Sequence, residues 1–194
     1  MRIEPATTDT WADLEDLFGP NGASSGCWCM YFRTTSKDYG EGCRDSGTMN
    51  RRGLRARLDE DPPPGLLGYD GDGVPVGWCA VAPRVEYGRV LRSRTTKPAD
   101  LDDPAVWAVT CFYIRRGHRG HGVASALLDA AIPFAKRHGA AVLEGYPVDP
   151  LGRRRQNAEL YYGTFAMFQA GGFTEVERRS STRPIMRLDL AVDP

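Results

Sequence analysis

The chain has 194 residues, 41% of them hydrophobic, with Lys plus Arg and Asp plus Glu balanced at 25 each. That length fits one compact domain, and zero net charge excludes the strong field that would hold a protein on nucleic acid or on an anionic membrane. No run reaches the roughly 18 apolar residues of a spanning helix, and the first residues lack the pattern of a secretory signal, so a cytoplasmic protein with no membrane or nucleic-acid partner is expected. The five cysteines, Cys27, Cys29, Cys43, Cys79 and Cys111, are odd in number, and two lie in apolar runs, which is how reduced thiols are used.

In chain order, residues 1–5 read as a short edge strand. Thr8 or Asp9 then caps a helix with Trp11, Leu14, Leu17 and Phe18 on one face, stopped by Gly19 and Pro20. A loop leads into the aromatic and sulfur cluster of residues 27–33, a polar loop runs to Gly47, and a helix carrying Leu54 and Leu58 ends at Asp61 and the prolines after it. Strands at 66–69 and 74–82 are joined by two Asp-Gly dipeptides suited to a tight antiparallel hairpin. Residues 83–104 are polar and poorly patterned, apart from a short helix near 87–92.

Residues 107–114 are a nearly unbroken apolar and β-branched run, expected to be a strand buried on both faces. A helix over 122–138 follows, then a strand at 141–146, a helix over 159–170 ending at Gly171 and Gly172, and strands at 173–178 and 185–190. Pro133 lies inside the first of these helices, where it deletes one backbone hydrogen bond. The fold class is α/β in the α+β sense, with an antiparallel start and a β-α-β unit in the middle.

The chemistry concentrates where the buried strand meets the helix, in residues 112–125. A strand feeding a glycine-containing turn into a helix aims unpaired N–H groups and the positive helix end at one spot, which makes an anion site. Gly120 and Gly122 permit unusual dihedrals there, and small Ala124 and Ser125 keep the first helical turn open. A Walker loop would need Gly-Lys-Ser/Thr and a dinucleotide fingerprint a third glycine where Ser125 stands, so both are disfavoured.

Arg119-Gly120-His121-Gly122-Val123-Ala124 matches the Q/R-x-x-G-x-G/A signature of the GNAT superfamily of N-acetyltransferases, with the strand before it and the helix after it that the signature requires. Gly171-Gly172-Phe173 resembles the glycine-phenylalanine that closes the last conserved helix of that superfamily. The resemblance implies a mostly antiparallel mixed sheet, flanked by helices and splayed between strands 4 and 5. It also implies one domain over 1–194, an acceptor side of about 1–105 and an acetyl-CoA side of about 106–194. Acetyl-CoA would be a cosubstrate, with no metal. Its pyrophosphate would lie on Arg119, Gly120, His121, Gly122, Val123, Ala124 and Ser125, and its pantetheine would pair with backbone groups of Phe112 and Ile114. The acceptor would be an amine of a small molecule or peptide attacking the thioester directly, and a homodimer is compatible with the resemblance.

An amine near pKa 10 must lose a proton before attack, so a base is expected. Glu144, which interrupts an apolar strand and shares a face with Val142 and Tyr146, is the candidate; its other reading is a salt-bridged carboxylate. The N–H of Ile114 is the first choice of oxyanion donor. The tyrosine usual in the last conserved helix is replaced by Phe168, so the acid that protonates the leaving thiolate is assigned to Tyr162, with Tyr161 as a neighbour able to substitute.

Trp28, Met30, Tyr31 and Tyr146 are the candidate acceptor pocket, where aromatics could cradle an apolar or cationic molecule or simply pack as core. A zinc site from Cys27, Cys29 and Cys43 fits none of the usual spacings. Arg153, Arg154 and Arg155 form a basic run that either reaches the cofactor's 3′-phosphate or is a solvated loop. The competing reading is a catalytically silent acyl-CoA-binding sensor or scaffold, kept open by Phe168.

Overall fold

A computed structural model describes residues 1–101, 103–153 and 157–190. Seven strands, β1 (Arg2–Pro5), β2 (Gly65–Tyr69), β3 (Pro75–Pro83), β4 (Val106–Ile114), β5 (Val142–Gly145), β6 (Thr174–Ser180) and β7 (Arg183–Asp189), form one sheet in the order β1-β2-β3-β4-β5-β7-β6. Every neighbouring pair is antiparallel except β4 and β5, which the connecting helix makes parallel. The helices are α1 (Trp11–Phe18), α2 (Ser36–Gly42), α3 (Thr48–Arg57), α4 (Gly88–Arg92), α5 (Val123–Arg137) and α6 (Phe165–Ala170). Among the described residues no helix is long and apolar enough to cross a membrane.

One face of the sheet packs on α5, through Val76, Val81, Trp107, Val109 and Phe112 against Leu127, Leu128, Ala131 and Phe134. The other face packs on α1 and α3, through Leu67, Tyr69, Trp78 and Ala80 against Leu14, Leu17, Phe18 and Leu54. Strand alternation would put residues 107, 109, 111 and 113 of β4 on the same side. A bulge breaks it: Ala80 faces Cys111 while Val81 faces Val109, leaving Thr110 as the extra residue. Past the bulge the parity inverts, so Phe112 joins Trp107 and Val109 on the α5 side whereas Cys111 and Tyr113 turn to the α1 side.

Two elements differ from expectation. The polar stretch before Gly47 contains α2, started by Thr35, whose side chain accepts from the Asp38 N–H at 3.2 Å. The helix expected over 159–170 is broken into a 3-10 turn, Asn157–Tyr162, and α6, because Gly163 adopts φ 78° and Thr164 caps a fresh start by accepting from the Met167 N–H at 3.3 Å. In α5, Pro133 is retained inside a continuous helix.

Candidate active site

Strand β4 pairs with β5 only from Val106 to Val109, opposite Val142 to Gly145, and the two then part. Phe168 is the wedge: it is fully buried, packs on Phe112 and Phe173, and its ring stands where a side chain on Gly145 would be. The position where the family resemblance expects a phenol is thus packed as core. Beyond the parting, the Arg115 N–H bonds the Val76 carbonyl on β3 at 2.9 Å, so by alternation the backbone groups of Phe112 and Ile114 face away from β3, toward the opening. The Ile114 carbonyl there accepts from Arg119 Nε at 2.9 Å.

The opening is a cavity of about 900 Å³. At one end the turn enters α5 at Gly122, with φ 80° and no side-chain cap, so the first N–H groups of this 15-residue helix are not occupied by its own cap residue. Gly120 has φ 78°; added Cβ atoms on Gly120 and Gly122 would meet nothing within 4 Å, so it is the left-handed backbone, not crowding, that calls for glycine. Gly120, Gly122, Val123, Ala124, Ser125 and Arg119 line this end together with Phe112 and Ile114, whereas His121 is exposed and outside the lining. Arg154 and Arg155 lie outside the described residues.

The opposite wall comes from the loop after α1. Gly26 and Gly47 cross so closely that a Cβ on either would strike the other's backbone, and the Asn50 side chain donates to the Gly26 carbonyl at 2.8 Å. Beyond that clamp the chain alternates. Cys27, Cys29 and Tyr31 line the cavity, while Trp28 stacks on Trp11 and Met30 sinks into the core against Gly53. Trp28 and Met30 are therefore core residues, which corrects the acceptor pocket expected of them. Tyr31 is held by the Arg89 guanidinium over its ring at 4.2 Å and by Tyr39 edge-on at 5.2 Å.

Glu144 is not a cavity residue. It is fully buried, and its carboxylate takes Arg84 at 3.0 Å, Arg187 at 2.6 Å and the Tyr146 hydroxyl. A carboxylate committed to two guanidinium groups and a phenol cannot collect a substrate proton, so the salt-bridged reading holds and the base assignment is withdrawn. Tyr146 is likewise fully buried as its partner, not part of a pocket wall. Tyr162 packs behind the wall, between Phe32 and Arg183, and it is Tyr161, stacked on it at 4.3 Å, that lines the cavity. Burial and the neighbouring Tyr162 raise the Tyr161 phenol, so it stays protonated as a donor at neutral pH.

The residues missed are Cys27, Cys29, Tyr39 and Cys111, all on the cavity wall beside Tyr161, the expected alternative to Tyr162. The alternation of sulfur and aromatic types over 27–31 was a signal for the first two; nothing in sequence announces the bulge that aims Cys111. No group of three His, Cys, Asp or Glu side chains among the described residues could hold a metal ion.

A family model described as the acetyltransferase (GNAT) family matches residues 28–149. No curated protein matches the chain. Among solved structures, one described as an acetyltransferase is similar over 98% of this chain and 100% of its own, at 14% identity and TM-score 0.61. An N-acetyltransferase from Staphylococcus aureus Mu50 is similar over 98% of both chains, at 13% identity and TM-score 0.55. YncA from Salmonella typhimurium, solved with its cofactor acetyl-CoA, is similar over 100% of this chain and 96% of its own, at 16% identity and TM-score 0.53.

Proposed function

Because the chain belongs to the acetyltransferase (GNAT) family, we propose that it transfers the acetyl group of acetyl-CoA to an amine of a small molecule or peptide. The observation that carries this reading is the parting of β4 from β5 past Val109, which opens a cavity between an uncapped helix start and a wall of thiols and aromatics. The N-terminal end of α5 and the turn through Gly120 and Gly122 offer N–H groups and a positive dipole end to a pyrophosphate. The outward backbone groups of Phe112 and Ile114 can pair with the amides of pantetheine as a strand would, once Arg119 gives up the Ile114 carbonyl.

In this reading the thioester carbonyl lies by the β4 edge, where the Ile114 N–H is the oxyanion donor. Tyr161, protonated and on the wall, is the donor to the departing CoA thiolate, in place of Tyr162. The acceptor enters between Tyr31, Tyr39 and Tyr161, which favours an amine with an aromatic or apolar body.

Calorimetric titration of acetyl-CoA into wild type and Gly122→Asp tests the site, since the carboxylate adds a like charge at the pyrophosphate position without clashing with protein. Binding by wild type, weakened about a hundredfold or more in the variant, is expected. Wild type that does not bind acetyl-CoA ends the reading. Wild type that binds but acetylates neither 2-phenylethylamine nor a panel of peptide amines makes the protein an acyl-CoA sensor instead.

A further inference from the structure

Aromatic residues around an acceptor suit two kinds of molecule, an apolar body or a cation held against a ring face. Tyr31, Tyr39 and Tyr161 line the cavity, and what distinguishes the two kinds lies one layer behind them. Arg89, on α4, sets its guanidinium over the Tyr31 ring at 4.2 Å and stands 5.7 Å from the Tyr39 ring. Its Nε donates to the Tyr31 carbonyl at 2.6 Å and its Nη1 to the Ser36 hydroxyl at 3.1 Å, while its backbone N–H donates to the Phe32 carbonyl at 3.1 Å.

Every group in that list is neutral, so the contacts fix the guanidinium in place without cancelling its charge. Its Nη2 is buried and, among the described residues, has no hydrogen-bond partner. The nearby Arg33 differs, because its buried guanidinium is answered by the Glu86 carboxylate. On the far side of the wall Arg183 lies over Tyr162 at 3.9 Å, and Tyr162 in turn stacks on Tyr161. The acceptor wall is therefore backed by cations, with Arg89 against the ring that lines the cavity.

We propose that Arg89 is a specificity-determining residue that restricts the acceptor to an amine with an apolar body and no second positive charge, so that diamines and polyamines are rejected. This rests on the reading of the chain as an acetyl-CoA-dependent enzyme with Tyr31, Tyr39 and Tyr161 around the acceptor. The nitrogen that attacks is neutral when it does so, whereas any further aliphatic nitrogen stays charged at neutral pH and is carried with the body onto the wall. Wherever on the Tyr31 ring that charge settled, it would stand no farther than about 8 Å from the guanidinium on the ring. At that range, and an effective dielectric of about 20, the repulsion is at least as large as the attraction a ring offers a cation at a half-exposed site. An apolar body meets no such penalty.

The test compares two acceptors of one shape, 2-(4-tert-butylphenyl)ethylamine and its 4-trimethylammonium counterpart, each with a single nucleophilic nitrogen. CoA release at saturating acetyl-CoA gives kcat/KM for both. Wild type should prefer the amine with the neutral body, Arg89→Gln should narrow that preference about tenfold, and Arg89→Lys should retain it, with acetyl-CoA binding by calorimetry unchanged in both variants. In wild type alone, the preference should shrink as salt is raised from about 20 to about 500 mM, a measurement that does not depend on a variant folding. A merely structural role for Arg89 would slow the two amines in proportion and leave their ratio unchanged, which overturns the proposal, as does wild type that uses the charged amine equally well or a preference insensitive to salt. If wild type binds acetyl-CoA yet acetylates neither amine, the proposal falls together with the aromatic acceptor wall while the cofactor site stands. If wild type does not bind acetyl-CoA, the underlying reading fails first.

Discussion

The two ends of the cavity are built in different ways. The turn into α5 is a backbone site: its work falls to N–H groups and left-handed glycines, and side chains there need only be small. The facing wall is a side-chain site, in which Cys29, Cys111, Tyr31 and Tyr161 matter by the direction they point. Direction there is set from a distance, by the Thr110 bulge in one strand and the Gly26–Gly47 crossing under one loop. A backbone site is written in a short local motif, whereas a side-chain site of this kind is assembled from three separate segments. The same contrast separates Glu144 from Cys29: one looked chemical and is framework, the other had only a zinc spacing to recommend it and lines the cavity.

Substitutions can break or sharpen that contrast. The largest expected effect is that of Glu144→Gln, which removes the buried charge partner of Arg84 and leaves it only the half-exposed Asp100 carboxylate at 3.3 Å. Unfolding in urea should show a loss of about 3 kcal/mol, with acetyl-CoA affinity of the folded fraction unchanged. A large loss of affinity with stability intact would return Glu144 to the active site. Next comes Gly145→Ala, whose methyl must displace the Phe168 ring at the point of strand divergence; a loss of about 2 kcal/mol is expected from thermal or urea unfolding. No change would mean that Phe168 is not the wedge.

Tyr161→Phe sharpens the side-chain end. CoA release with 2-phenylethylamine as acceptor should slow about tenfold, equivalent to about 1.4 kcal/mol, with acetyl-CoA binding retained. Tyr162→Phe should have a smaller effect than this, and the reverse order would restore the sequence-based assignment. The smallest effect is reserved for Thr164→Ala, which removes the cap of α6 and should lower stability by about 1 kcal/mol without touching the turn at the other end.

The core elements and the glycine turn into α5 were legible because they depend on near neighbours in the chain. The run over 107–114 is apolar enough to demand a buried strand, Gly120 and Gly122 mark a left-handed turn wherever they occur, and the signature spans six residues. The short α2 was missed because its residues are polar and its start depends on the single Thr35 cap, and the break at Gly163 was missed because a continuous helical pattern hides one positive φ.

The catalytic assignments went astray for a different reason. Alternation in β4 and β5 follows from covalent geometry only until a bulge inserts a residue, and whether a carboxylate is free or paired depends on Arg84 and Arg187, which are 60 and 43 positions away in the chain. Local chemistry therefore determined the left-handed turn and the helix start at which the pyrophosphate is proposed to rest. Which thiol and which phenol face it was decided only when the sheet closed around the bulge, because a side chain's direction is a property of the register that long-range pairing imposes.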